Sequence, residues 1–255
     1  MIVLEQVSNK LQKEEQVIHD FRTSEERVNK LEVASIPLKW LERGIFNILP
    51  GEVIMLSGSI DFVKAGLRQL GKTLPPPDCY PESMKQYLHR SVSYGTKRDL
   101  TLDMLPKFIK PADDYKLFTG FVCDDPDDYR LQHVGNKRRL AICDVVKWKS
   151  EWRYYCFDHT FYESAFYNGD QTVQPDEDVV KEILKAFAKE RKWPAVVDIG
   201  VLDDGTTALV EINEAFSIGY YEGITPQLYQ MIICKRWRHL SGFDEVIEQQ
   251  EKENK

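Results

Sequence analysis

Paired cysteines are what this sequence most plainly lacks. Its five cysteines, Cys79, Cys123, Cys143, Cys156 and Cys234, are odd in number and widely spaced, with no CxxC. That pattern speaks against a zinc ribbon and a disulfide framework, and predicts a reducing, cytoplasmic setting. No apolar run is long enough to span a bilayer, and the opening MIVLEQVSNKLQKEEQ has neither the basic start nor the apolar middle of a signal peptide, so membrane insertion and export are not expected. Positive charge is in deficit, with 34 Lys and Arg against 41 Asp and Glu for a formal charge of −7. A broad electrostatic grip on nucleic acid is therefore not predicted. Histidine is scarce, and none of it forms HExxH or another close pairing. Internal repeats are absent.

What is present is ordinary for a globular chain. The 255 residues, 42% hydrophobic and 29% charged, can bury one large core or two small ones. The charged stretch from 11 to 34 reads as a surface helix or connector. GEVIMLSG (51 to 58) reads as a buried strand, and SIDFVKAGLRQLG (59 to 71) as an amphipathic helix begun by Ser59 and ended by Gly71. A proline-rich break, LPPPDCYPES, follows. From about residue 104 strands dominate, then a helix at 176 to 192, a hairpin, and a helix at 225 to 240. This order predicts α+β layering with mostly antiparallel pairing.

One motif fails on context. GLRQLGKT, Gly66 to Thr73, matches GxxxxGK[ST], but a P-loop needs a strand before it and a helix after it. Here the first glycine lies inside the predicted helix and Leu-Pro-Pro-Pro follows. Gly71 is instead expected to cap the helix, with Lys72 at the surface.

The hairpin DIGVLDDGTTALVEIN (198 to 213) carries the chemistry. A two-residue turn at Asp204-Gly205 places Asp198 opposite Glu211. Val197, Ile199, Val201, Ala208, Val210 and Ile212 then share a core face, while Asp198, Gly200, Leu202, Leu209, Glu211 and Asn213 share the other. Facing carboxylates repel unless a cation or a proton lies between them. Asp198, Glu211 and Asn213 thus form a candidate Mg²⁺ site, since this ion uses one or two carboxylates together with substrate phosphates. The simpler alternative is a solvated polar face. If Mg²⁺ is held, cations upstream should hold the phosphates it bridges. Lys110 in FIKP, Lys116 six residues later, and Arg153 in the strand SEWRYYCFD are the candidates. The plain alternative for Arg153 is an ion pair with Glu151.

Taken in order, FIKP, ICDVVKWKSEWR and DIGVLDDGTTALVEIN resemble the ATP-grasp superfamily over roughly residues 95 to 240, nearest the glutathione-synthetase, ribosomal-protein glutamate ligase and D-alanine ligase types. The resemblance implies an ATP-grasp fold of two α+β subdomains clamping nucleotide over 95–255, preceded by a small α/β region over 1–94. It also implies ATP and Mg²⁺ as cofactors and an ADP-forming ligation, in which a small-molecule or peptide carboxylate becomes an acyl phosphate attacked by an amine or other nucleophile. Lys110 would contact the α and β phosphates and Arg153 the γ-phosphate. Asp144 and the backbone around Val146 would meet the adenine, and Asp198, Glu211 and Asn213 the metal. Two departures stand out. KPADDYKLFTG has one glycine where relatives carry a glycine-rich loop, leaving that work to Lys116, and Tyr167 stands where a second arginine is common. Phosphotransfer to a hydroxyl acceptor and a nucleotide-binding module without turnover are the alternatives. The oligomeric state is not legible.

Overall fold

The computed structural model describes residues 2–7, 13–29, 32–115, 117–157, 162–191 and 193–253. The leading region is a parallel sheet of β1 (Ile2–Gln6), β2 (Glu32–Ile36) and β3 (Val53–Ser57) in the order β2-β1-β3, with helix α1 (Lys13–Asn29) crossing between the first two. A short α2 (Leu38–Glu42) precedes β3, and α3 (Ile60–Gln69) follows it. The Ser59 hydroxyl accepts from the Phe62 N–H at the start of α3. At its end Gly71, at φ +68°, lets its own N–H reach the Arg68 carbonyl and the Lys72 N–H reach that of Leu67. Gly66 lies mid-helix, where a Cβ would stand 2.6 Å from Leu56 Cδ1. It serves close packing of helix on strand, and the GLRQLGKT match is a helix and its cap.

Two antiparallel four-stranded sheets make the rest. One contains β4 (Val92–Gly95), β5 (Lys107–Pro111), β6 (Phe121–Cys123) and β7 (Leu140–Asp144), ordered β4-β7-β5-β6. The other contains β8 (Trp148–Cys156), β9 (Tyr162–Gly169), β10 (Ala195–Leu202) and β11 (Thr207–Glu214), ordered β11-β10-β8-β9. Residues 145–147 link β7 to β8 and so join the two sheets. Helix α4 (Glu177–Glu190), capped by Asp176, lies against the second sheet through Val180, Ile183, Leu184 and Phe187. Helix α5 (Pro226–Ser241) is capped by Thr225 and packs on β3, with the Trp237 indole N–H donating to the Val53 carbonyl at 2.8 Å. It leads through Gly242 into α6 (Phe243–Glu253). All five cysteines are free. Among the described residues no helix is long and apolar enough to cross a membrane.

The hairpin differs from its expected form in an instructive way. Its loop has three residues, Asp203 to Gly205, closed by the Gly205 N–H on Leu202 O and the Leu202 N–H on Thr206 O, with Gly205 at φ +92°. That shifts the register by one, so Ile199 faces Leu209 and Val201 faces Thr207. A bulge between Asp198 and Ile199 then restores the count, and Asp198 does face Glu211. One consequence is a correction: Leu209 packs in the core with Ile199 and Ile212, not on the acidic face.

Candidate functional site

The site forms where β5 of one sheet meets β11 of the other. On β10 every residue is buried, so the strand reads as core on both faces, and Asp198 is the charged exception at 2% exposure. Its β8 neighbour is Arg153. The guanidinium forks onto it, with Nε donating to Oδ1 and Nη2 to Oδ2, both at 2.8 Å. The expected Glu151 partner is therefore not the one Arg153 takes; Glu151 accepts from Asn168 instead. Arg153 also stacks against Tyr167 at 4.4 Å and Tyr221 at 5.3 Å.

Across the sheet boundary, Lys110 Nζ donates to Glu211 Oε2 and, at 3.4 Å, to Cys79 Sγ, and it lies 5.5 Å from the Tyr80 ring. The Asn213 amide links the two pairs by donating to Asp198 Oδ2 at 2.9 Å and Glu211 Oε1 at 2.8 Å. Two carboxylates, two cations and one amide thus converge from four strands.

Burial dominates the electrostatics. It opposes the Lys110 charge, but Glu211 outweighs it and holds the ammonium well above its ordinary range. Burial likewise lifts Glu211, and Lys110 and Asn213 overcome that to hold it below the ordinary carboxylate value. Asp198 rises, first through burial and further through the Glu211 charge, while the Arg153 fork pulls the other way. Glu151, facing the same group, also rises through burial and the two neighbouring carboxylates.

The remaining expected residues divide. Val146 is half-buried in the 145–147 connector. Asp144, the last residue of β7 beside that connector, leaves the strand on the face opposite to the Lys110 side, pairs with Lys107 at 2.5 Å and accepts from the Ser91 N–H at 2.9 Å. Lys116 lies outside the described residues. Tyr167 takes part as the face on which Arg153 rests.

Several residues carried no sequence signal. Cys79 and Tyr80 come from the proline-rich break, and the Cys79 carbonyl accepts from the Ile212 N–H at 3.0 Å, docking that loop on β11. Arg90 donates to the Leu209 carbonyl at 2.8 Å and the Val210 carbonyl at 2.5 Å, which the bulge frees, and it packs between Tyr80 and Trp148. At the end of β11, Glu214 is gripped by Arg191 at 3.1 Å and Arg236 at 2.6 Å.

Among the described residues no three His, Cys, Asp or Glu side chains converge into an all-protein metal cage. The donor set of Asp198, Glu211 and Asn213 fits the sparser arrangement of Mg²⁺ bound together with phosphate oxygens. Lys110 and Arg153 supply the charge such phosphates need.

This architecture, with charged strands of two antiparallel sheets facing each other, is the ATP-grasp fold. A family model described as an ATP-grasp domain, the second family of its clade, matches residues 87–231, more than half of the chain, and the chain belongs to that family. Among solved structures it is similar to a D-alanine–D-alanine ligase from Bacillus anthracis complexed with ATP, at 16% identity and TM-score 0.50, over 95% of this chain and 99% of that one. It is also similar to the D-alanine–D-alanine ligase of Coxiella burnetii, at 12% identity and TM-score 0.50, over 100% and 98%. No curated protein sequence matches the chain.

Proposed function

We propose that this protein is an ATP- and Mg²⁺-dependent ligase that activates a carboxylate as an acyl phosphate, passes it to an amine or another nucleophile, and releases ADP and phosphate. The observation that carries this reading is the meeting of Lys110, Arg153, Asp198, Glu211 and Asn213 in a family of ATP-grasp domains. Phosphoryl transfer needs positioning and charge neutralisation more than a protein nucleophile, and these residues supply both. Each cation is held by a carboxylate of another strand. With nucleotide bound, Lys110 and Arg153 would exchange their carboxylates for phosphate oxygens, leaving Asp198, Glu211 and Asn213 to hold the metal. Mg²⁺ there would neutralise charge on the transferred group. The 145–147 backbone around Val146 would serve the adenine edge, and Lys116 would take over the work of the glycine-rich loop. Val92–Gly95 pairs with β7, so we place the boundary between the leading α/β region and the ATP-grasp domain ahead of β4, close to the expected division at 94 and 95.

The test is incubation with Mg-ATP and mixed amino acids and carboxylates, following phosphate, ADP and new amides. Free phosphate with a new amide supports ligation. A phosphorylated acceptor makes the protein a kinase, and nucleotide binding without turnover makes it a binding module; either result removes the ligase reading.

A further inference from the structure

The sheet face that carries Lys110 holds a second cation. Lys110 stands opposite Ala141 on β7, and Ala141 stands opposite Tyr94 on β4. Two residues beyond that row the Ala112 N–H donates to the Arg139 carbonyl at 2.9 Å, which continues the ladder past the end of β7 and sets Arg139 opposite Ala112. Side chains two apart on a strand share a face, so Arg139 and Ala112 emerge on the side of Lys110 and Ala141. The packing agrees. Ala112, Ala141, Cys143 and Phe108 all join the core cluster that contains Tyr80.

Arg139 is exposed, its guanidinium lies 4.2 Å over the Tyr94 ring, and among the described residues no carboxylate pairs with it. The nearby acids are turned elsewhere: Asp114 accepts from Lys64 at 2.8 Å and from Arg138 at 2.9 Å, and Asp113 accepts from the Arg139 backbone N–H at 3.1 Å. Lys110 and Arg153, by contrast, each rest on a carboxylate. Burial raises the Tyr94 phenol and the Asp78 charge raises it further, which sets the ring beside the loop whose Cys79 meets Lys110. The ring thus steadies a guanidinium that has no counter-charge at the rim of this face.

Position gives that cation a task. The chain runs from Arg139 through Ala141 to the 145–147 connector. With adenine at the connector and the α and β phosphates at Lys110, the terminal phosphate falls further along the same line. Arg139 lies two residues beyond Ala141, about 7 Å at the rise of a strand. It also adjoins the loop that follows β5. That loop, 112–120, carries one glycine and has little freedom to wrap its own N–H groups around a phosphate, so the charge there comes from a side chain.

We propose that Arg139 is a further nucleotide-binding residue, which takes the terminal phosphate and lets the protein tell ATP from ADP. The inference rests on the ligase reading for where the nucleotide lies. The experiment titrates the full chain by calorimetry, in Mg²⁺, with a non-hydrolysable ATP analogue and with ADP. Arg139→Ala should weaken binding of the analogue by about tenfold or more, the scale of a hydrogen bond to a charged group, and leave ADP affinity within about twofold. Arg139→Lys keeps the charge but loses the fork, so its loss should fall between wild type and alanine. It also keeps the test decisive if the alanine variant folds poorly. Lys137→Ala, an exposed neighbour, should change neither affinity, which separates a contact from general positive charge. Equal losses for both nucleotides, a loss in Lys137→Ala as large as in Arg139→Ala, or wild-type affinities in the Arg139 variants overturns the assignment. If the unaltered protein binds neither nucleotide, the ligase reading falls and takes the assignment with it. If it binds both and the Arg139 variants match it, the assignment alone falls.

Discussion

Lys110 on β5 and Glu211 on β11 form an ion pair that joins the two four-stranded sheets, although 101 residues separate them in the chain. Their neighbours Arg153 and Asp198 repeat the arrangement within one sheet. The first pair is largely withdrawn from water and the second is buried. Each charge therefore depends on its partner, and that dependence can be measured.

Removing one partner of the more buried pair tests its burial. Asp198→Ala leaves the Arg153 guanidinium without a counter-charge and should lower the unfolding free energy by about 3–5 kcal/mol. Arg153→Lys keeps the charge but loses the fork, and should cost about 1.5–3 kcal/mol. Denaturant titration reads both; wild-type midpoints in either variant would mean the pair is solvated.

Partner exchange predicts strong mutual dependence of metal and nucleotide. A non-hydrolysable ATP analogue should bind with Mg²⁺ about 5–150-fold tighter than in EDTA, the usual range of coupling between two ligands. Equal affinity with and without the metal would remove Asp198, Glu211 and Asn213 from the metal site.

Arg90 secures the bulge that returns Glu211 to Asp198. Arg90→Ala frees two backbone carbonyls at Leu209 and Val210, and should destabilise by about 1.5–3 kcal/mol. Hydrogen exchange should show the loss of protection concentrated in 207–214. Uniform loosening of the whole chain would contradict a local role.

Acid sensitivity should localise partly to Glu5. Burial raises its pKa, but Ser35, Arg22 and His19 together hold it below the ordinary value of 4.5. A carboxyl depressed in the fold contributes stability above its unfolded pKa and loses it as the pH falls through the folded one. Wild-type melting temperature should therefore drop on acidification below about pH 4.5, and Glu5→Gln should show a shallower drop in that window. Parallel curves would exclude Glu5 as a contributor.

The helical reading of GLRQLGKT makes an opposite pair of expectations. Gly66→Ala places a methyl against Leu56 and should cost about 1–3 kcal/mol through overpacking, beyond the roughly 1 kcal/mol gained in helix propensity. Lys72→Ala should leave nucleotide affinity unchanged. A large loss of affinity in the Lys72 variant would restore the P-loop.

The acidic hairpin was legible because strand alternation needs only local sequence. Its register came out right at Asp198 through two offsets that cancel, the longer loop and the bulge, and neither is encoded by Asp204-Gly205 alone. Leu209 was misplaced for the same reason. Strand β1 carries little signal in the sequence because IVLEQ is short and contains Glu5, whose partners arrive from α1 and β2. The counter-ions of the site were hidden by distance: pairing Lys110 with Glu211, or seating Tyr80 beneath it, requires the whole arrangement of sheets. The Lys107–Asp144 pair was hidden in the same way, since 37 residues separate the two on different strands.

Glu214 ends the strand that bears Glu211 and Asn213, and Arg236 ties it to α5, which lies on β3. The end of that strand is thus bolted to the parallel sheet, and just beyond it the Ser217 hydroxyl donates to the Gly58 carbonyl at 2.9 Å, a second tie to the end of β3. The strand carrying Glu211 and Asn213 is therefore anchored at its far end to a region of the chain that contributes none of the five converging side chains.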